Sequence, residues 1–257
     1  MATLPLGTPG IEARGEARFF LIMACVMALM NVVGFGLNAA TGRSSFSAPL
    51  IVHLHAVLMM SWMGLYVAQT AMVYTGNMRL HRKAGWLAVI FLPLMVLMGI
   101  MITRNSLQTA GGPPFFDQNQ FIFSNTLQLL ALVAMVGAAI AVRRNTGWHR
   151  RLMMSAFAML TGPGIGRLLP MPFLIPYAWW IGSIIVPMIF IVIGMVADKR
   201  RYGRIHAAWL VGMGTFLAVQ ILADLLAYSA WGISFTQWLI EGTPGAERSM
   251  EAFFPPM

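Results

Sequence analysis

Charged side chains are scarce in this chain: Asp, Glu, Lys and Arg make up 10% of its 257 residues, against about a quarter in an average soluble domain. That scarcity excludes a water-soluble globule, because the apolar residues, 58% of the total, come in blocks of roughly 20, each long enough to cross a hydrocarbon core. Cysteine is nearly absent as well. The single Cys25 rules out an internal disulfide, a zinc ribbon or a thiolate cluster, and reads as a buried structural thiol.

Enzymatic signatures are also missing. No nucleophile elbow, P-loop, dinucleotide glycine motif, HExxH pair or paired-carboxylate pattern occurs, which leaves hydrolase and ATPase readings without support. The opening MATLPLGTPGIEARGEA lacks the basic start, short apolar run and small-residue cleavage site of a secretory signal, so the first apolar block is expected to be a retained helix.

Acids are few beside bases. The net charge is +9 and the pI about 10.8, yet a nucleic-acid binder needs its basic patch on a folded polar surface. Here the cations lie in loops between apolar blocks, so the expected partner is the lipid bilayer and no nucleic acid.

Seven blocks read as helices, at about 17–40, 50–75, 84–103, 119–143, 150–170, 176–197 and 206–232. In lipid a span must satisfy its own backbone, so an all-α bundle of seven transmembrane helices is the expected fold. Of the Lys and Arg residues, Arg14, Arg18, Arg79, Arg82, Lys83, Arg143, Arg144, Arg150, Arg151, Lys199, Arg200, Arg201 and Arg204 fall on one side, and Arg43, Arg104, Arg167 and Arg248 on the other. The positive-inside rule then predicts a cytoplasmic N-terminus and a periplasmic C-terminus in a bacterial inner membrane. Residues 1–16 form the expected cytoplasmic tail, 17–232 the transmembrane domain and 233–257 a periplasmic tail, with SFTQWLIE along the outer surface.

Polar side chains inside a bilayer are costly and face the bundle interior or a cavity, so their depth carries information. Asp224 is the one acid within a predicted span. Gln220, Asp224 and Tyr228 share one helical face at i, i+4 and i+8. At about 1.5 Å per residue, Asp224 lies roughly 27 Å beyond His206 and Arg167 roughly 24 Å beyond Arg151, one common depth at which the two could pair. Arg167 follows TGPGIG, a break tolerated only where freed backbone is buried in protein or lines a cavity.

His53, His55, Asn125 and Gln128 reach the same level, as do Asn31 and Asn38. Together with Arg167, Asp224 and Gln220 they outline a polar pocket for a ligand or cofactor, with Arg167 suited to a carboxylate or propionate. The alternative is interhelical hydrogen-bonded glue. His53 and His55 are about 200° apart around a helix and cannot both bind one ion, and His55 is the inward candidate. His81, His149 and His206 share the cytoplasmic depth and could form an open metal site, or, beside Arg82, Lys83, Arg150 and Arg151, contact lipid phosphates.

The run HLHAVLMMSWMGLYVAQT, then MRLHRKAGW, GWHRRLMMSAFAML and GRLLP, resembles a bacterial family of multi-spanning membrane proteins. More distantly it is similar to cytochrome-oxidase assembly membrane proteins, which share an HR step at helix starts, here His81 with Arg82 and His149 with Arg150. The resemblance implies a respiratory membrane, respiratory-complex subunits as partners, and haem b or a metal ion as the cofactor to test. Three functions follow as expectations: holding a redox cofactor or small lipophilic ligand, proton-coupled solute transport with Asp224 as carrier, or a non-catalytic accessory role.

Overall fold

A computed structural model describes residues 11–254; the first ten residues of the predicted 1–16 tail and the last three of the chain lie outside the described residues. The described chain is a helical bundle. Six helices are long and apolar enough to cross a membrane: Arg14–Ala40, Leu50–Tyr74, Ala88–Ala110, Gln118–Ala141, Trp180–Tyr202 and Ala207–Ala227.

In chain order, α1 (Ile11–Ala40) and α2 (Leu50–Tyr74) are followed by a short amphipathic α3 (Met78–Gly85) that ends in Arg82 and Lys83. Asn77 caps α3 by accepting from the Leu80 amide. The predicted third helix therefore starts later, as α4 (Ala88–Ala110), because LHRKAGW is too polar to enter hydrocarbon and turns aside as its own helix. Gly111, at φ 68°, closes α4 in the left-handed conformation that glycine adopts without a Cβ penalty.

α5 (Gln118–Ala141) begins on Asp117, whose carboxylate accepts from the Asn119 and Gln120 amides. It packs against α4, α6 and α9 and forms the axis of the bundle. The predicted helix 150–170 is instead two pieces, α6 (Thr146–Met159) and α7 (Gly162–Leu168). Pro163 has no N–H to continue the ladder, and the Thr161 hydroxyl donates back to the Ala158 carbonyl at 2.6 Å. Gly164 lies against Asn31 and Gly34 on α1, an approach that a Cβ would block.

The predicted helix 176–197 starts with a π-helical turn, Trp180–Ile185, and continues as α8 (Val186–Tyr202), five residues past the expected end. α9 (Ala207–Ala227) stops short of the predicted 232, and Ser229 caps a separate α10 (Ala230–Ile240). The predicted 233–257 tail is strapped down: Gln118 Nε2 donates to the Gly245 carbonyl at 3.0 Å and the Gln118 amide to Met250 at 2.9 Å. Arg248 clamps the same loop, donating to the carbonyls of Gly111 and Phe116.

The core combines Met27, Met95, Leu132, Met154, Ile165, Ile184, Ile191, Trp209 and Phe216, with flexible thioethers filling gaps between helices. The outward faces stay apolar, with Leu29, Val57, Val89, Leu210 and Leu225 among the exposed residues. A helix bundle apolar outside as well as inside fits a bilayer as its solvent. Cys25 belongs to that outer face, which corrects its reading as a buried thiol.

Candidate functional site

Two ends of the bundle hold buried charge. At the basic end, where α3, the start of α6, the end of α8 and the start of α9 meet, Arg151 is 2% exposed. Its guanidinium grips Asp198 with two donors, Nε to Oδ2 at 2.7 Å and Nη2 to Oδ1 at 2.6 Å. Nη1 donates to the Gly147 carbonyl at 3.0 Å, and Nη2 also meets Glu16 at 3.1 Å. Glu16 in turn pairs with Arg150 at 2.6 Å, and Asp198 accepts from Trp209 Nε1 at 2.8 Å. Two acids and two bases thus neutralise one another inside protein.

The three basic-end histidines do not assemble. The His81 and His149 rings lie 6.4 Å apart, edge to face, while His206 packs on Trp148 and uses Nδ1 to cap α9. His149 Nδ1 sits 2.8 Å from the Ala139 carbonyl. Among the described residues no group of three or more His, Cys, Asp and Glu could hold a metal ion. Burial holds His81 and His206 below the ordinary imidazole value, reinforced for His81 by His149 and for His206 by Arg151.

At the far end the predicted layer separates into two clusters. The first joins α5, α9 and the π-turn. Gln220 is fully buried: its Nε2 donates to Ser124 Oγ at 2.9 Å and to Asp224 Oδ1 at 2.8 Å. Its Oε1 accepts from Gln128 Nε2 and Trp179 Nε1, each at 2.9 Å. Asp224 also accepts from Gln120 Nε2 at 3.0 Å and from Trp180 Nε1 at 2.8 Å. Three neutral donors therefore surround the carboxylate, and among the described residues no cation pairs with it.

Asp224 also lines a groove of about 400 Å³ together with Trp180, Ile221, Leu225, Tyr228 and Ser229. Of the predicted stripe, Gln220 is buried and Tyr228 is 53% exposed, so the face runs from the core out to the surface. A π-turn widens the backbone at such places and recurs at functional sites.

The second cluster joins α1, α2 and α7. Arg167 lies flat over the Phe35 ring, 4.0 Å from its centroid, and donates only to the Pro163 carbonyl of its own helix at 2.7 Å. His55 is on α2, which like α7 packs against α1. The expected pairing of Arg167 with Asp224 does not occur: each has its own neighbours, because equal depth does not put two helices side by side.

His53 is half-buried, with Nε2 3.2 Å from the Phe46 carbonyl, and fastens the α1–α2 loop. Asn125 turns its amide to the Phe121 carbonyl one turn back, at 2.8 Å, and stays outside the Asp224 cluster. Gln120, Ser124, Trp179 and Trp180 also belong to that cluster, although none of them is among the residues the sequence singles out. Their signal was present: Gln120, Ser124 and Gln128 repeat the i, i+4, i+8 spacing of Gln220, Asp224 and Tyr228. No protein-family model, curated protein or solved structure matches the chain.

Proposed function

We propose that the chain is a multi-pass protein of a bacterial inner membrane that holds a small lipophilic ligand in the groove beside Asp224. In this reading α6 and α7 together make a seventh, broken crossing, the basic end faces the cytoplasm, and residues 233–257 cap the periplasmic face. The observation that carries the proposal is a carboxylate solvated by neutral donors, without a counter-cation among the described residues, in the lining of a groove. A charge in hydrocarbon is costly when unpaired, so the groove suits a head group bearing N–H or O–H donors, with its apolar part against Ile221 and Leu225.

A haem b or metal role has less support. His53 and His55 share α2, and the other three histidines lie at the basic end, so no facing pair brackets a common plane. The respiratory setting rests on the HR-step resemblance rather than on the site. To test the proposal, the protein is purified in mild detergent and its retained small molecules are identified by native mass spectrometry. A species held by the wild type and reduced at least ten-fold in Asp224→Asn and Trp180→Phe, both still folded, is expected. Equal retention in the variants, or no retained species in any of them, overturns it.

A further inference from the structure

The α1–α2–α7 cluster has the opposite electrostatic problem to that of the Asp224 groove, and its residues take no part in that groove. Arg167 sits at the end of α7, which the small side chains of Gly34 and Gly164 let press against α1. None of the ion pairs among the described residues includes Arg167. Its Nε is closed off from solvent and has no acceptor, and the buried Nδ1 of His55 on the neighbouring α2 likewise has no partner.

A guanidinium keeps its charge at any physiological pH. A buried donor left unpaired has given up its hydrogen bonds to water with nothing in return, at a cost that is greater when the donor is charged. Two such atoms on α7 and α2, helices that both pack against α1, one of them in a guanidinium that no acid pairs with among the described residues, describe a binding surface for anionic oxygen. The guanidinium fork matches a carboxylate or phosphate through two parallel N–H donors, and stacking on Phe35 fixes the plane of that fork. The same stretches of α1 and α2 expose Val32, Val33 and Leu37, and Leu54 and Val57, apolar side chains on which an acyl chain can lie.

We propose that Arg167 and His55 form a second site, for the anionic head of an amphiphile: the carboxylate of a fatty acid or the phosphate of an anionic phospholipid. Arg167 supplies the charge and two donors, His55 Nδ1–H a third.

The test is thermal unfolding of the full chain in a neutral detergent, titrated separately with palmitate, dioleoylphosphatidylglycerol, dioleoylphosphatidylcholine and inorganic phosphate. A ligand that binds only the folded state raises the melting temperature in proportion to its saturation. Palmitate or dioleoylphosphatidylglycerol is expected to raise it, and which of the two acts at lower concentration identifies the head group. Dioleoylphosphatidylcholine and inorganic phosphate are expected to leave it unchanged. Arg167→Gln should abolish the response. Arg167→Lys should shift its midpoint at least ten-fold to higher concentration, because a lysine offers no fork, and His55→Gln several-fold.

No difference between anionic and zwitterionic amphiphiles overturns the site, as does a wild-type response in Arg167→Gln or Arg167→Lys. An equal response to inorganic phosphate overturns the amphiphile. Should Arg167→Gln fail to fold, His55→Gln decides, and an undiminished response there counts against the proposal.

Discussion

The two ends of this bundle treat buried charge in contrasting ways. At the basic end Arg151, Asp198, Glu16 and Arg150 form a closed network in which each charge meets its opposite. At the far end Asp224 and Arg167 stay apart, one solvated by neutral donors, the other in none of the ion pairs among the described residues. Closed networks fix structure, whereas isolated charges that the fold does not neutralise are where a sequence departs from stability rules for the sake of function. The comparison predicts that equivalent substitutions at the two ends differ sharply in cost.

The largest effect belongs to Arg151. Replacing it with Met leaves Asp198 and Glu16 buried without their shared partner, which costs about 3–5 kcal/mol and lowers the unfolding temperature of the detergent-solubilised protein markedly. Adding Asp198→Asn removes one stranded charge while keeping an acceptor for Trp209 Nε1, and is expected to restore part of the loss. A single Arg151→Met variant as stable as wild type would show that the network contributes nothing to stability and would dissolve the contrast.

Asp224→Leu comes next. It strands the donors of Trp180 and Gln120, while Gln220 keeps Ser124, so a loss of about 2–4 kcal/mol is expected. Denaturant unfolding measures it. A cost matching that of Arg151→Met would place Asp224 among the structural charges instead of the ligand-facing ones.

Much of this arrangement was readable before any coordinates, and the limits have physical causes. Span positions follow from hydrocarbon thickness, and the Gln220, Asp224, Tyr228 stripe follows from helical period, since both are one-dimensional properties. The TGPGIG break was visible too, because proline cannot donate. What stayed hidden depends on rotation about the helix axis and on which helices are neighbours. Arg167 and Asp224 were assigned a common depth, yet α7 packs on α1 while α9 packs on α5. Arg150 and Arg151 looked like one lipid-facing pair, but successive helical residues point about 100° apart, and Arg151 turns inward to Asp198. Asp198 falls one residue past the predicted helix end at 197, and it turns inward because α8 runs on to Tyr202.

Arg167→Met should behave oppositely to Arg151→Met. The substitution removes an unpaired guanidinium and its stacking on Phe35, and gives up only an intrahelical bond to Pro163. In lipid-free detergent the variant is expected to match wild-type stability within about 1 kcal/mol, or to exceed it, as substitutions that relieve functional strain commonly do. Thermal unfolding of the two Met variants side by side gives the comparison directly, and a loss of 3 kcal/mol or more at Arg167 would mean that its charge is compensated after all.

The smallest effect tests whether isolated charge at the far end costs stability even at its rim. Asp117 caps α5, and burial, only partly offset by the amides it accepts from and by Arg248, raises its carboxyl above the ordinary value of 3.8. The folded chain therefore holds this proton more tightly than the unfolded chain, so the contribution is fully present below 3.8 and is lost as pH rises through the folded value. Asparagine caps a helix as well as aspartate does and carries no charge. Asp117→Asn should thus remain within about 0.5 kcal/mol of wild type at pH 7, while flattening the decline in stability that wild type shows on going from acid toward neutral pH. Unfolding temperatures of both proteins across that range decide the matter. A variant that matches wild type at acid pH and is weaker only toward neutral pH would show the negative charge acting on the positive end of the α5 dipole, and would move Asp117 from the uncompensated group to the compensated one.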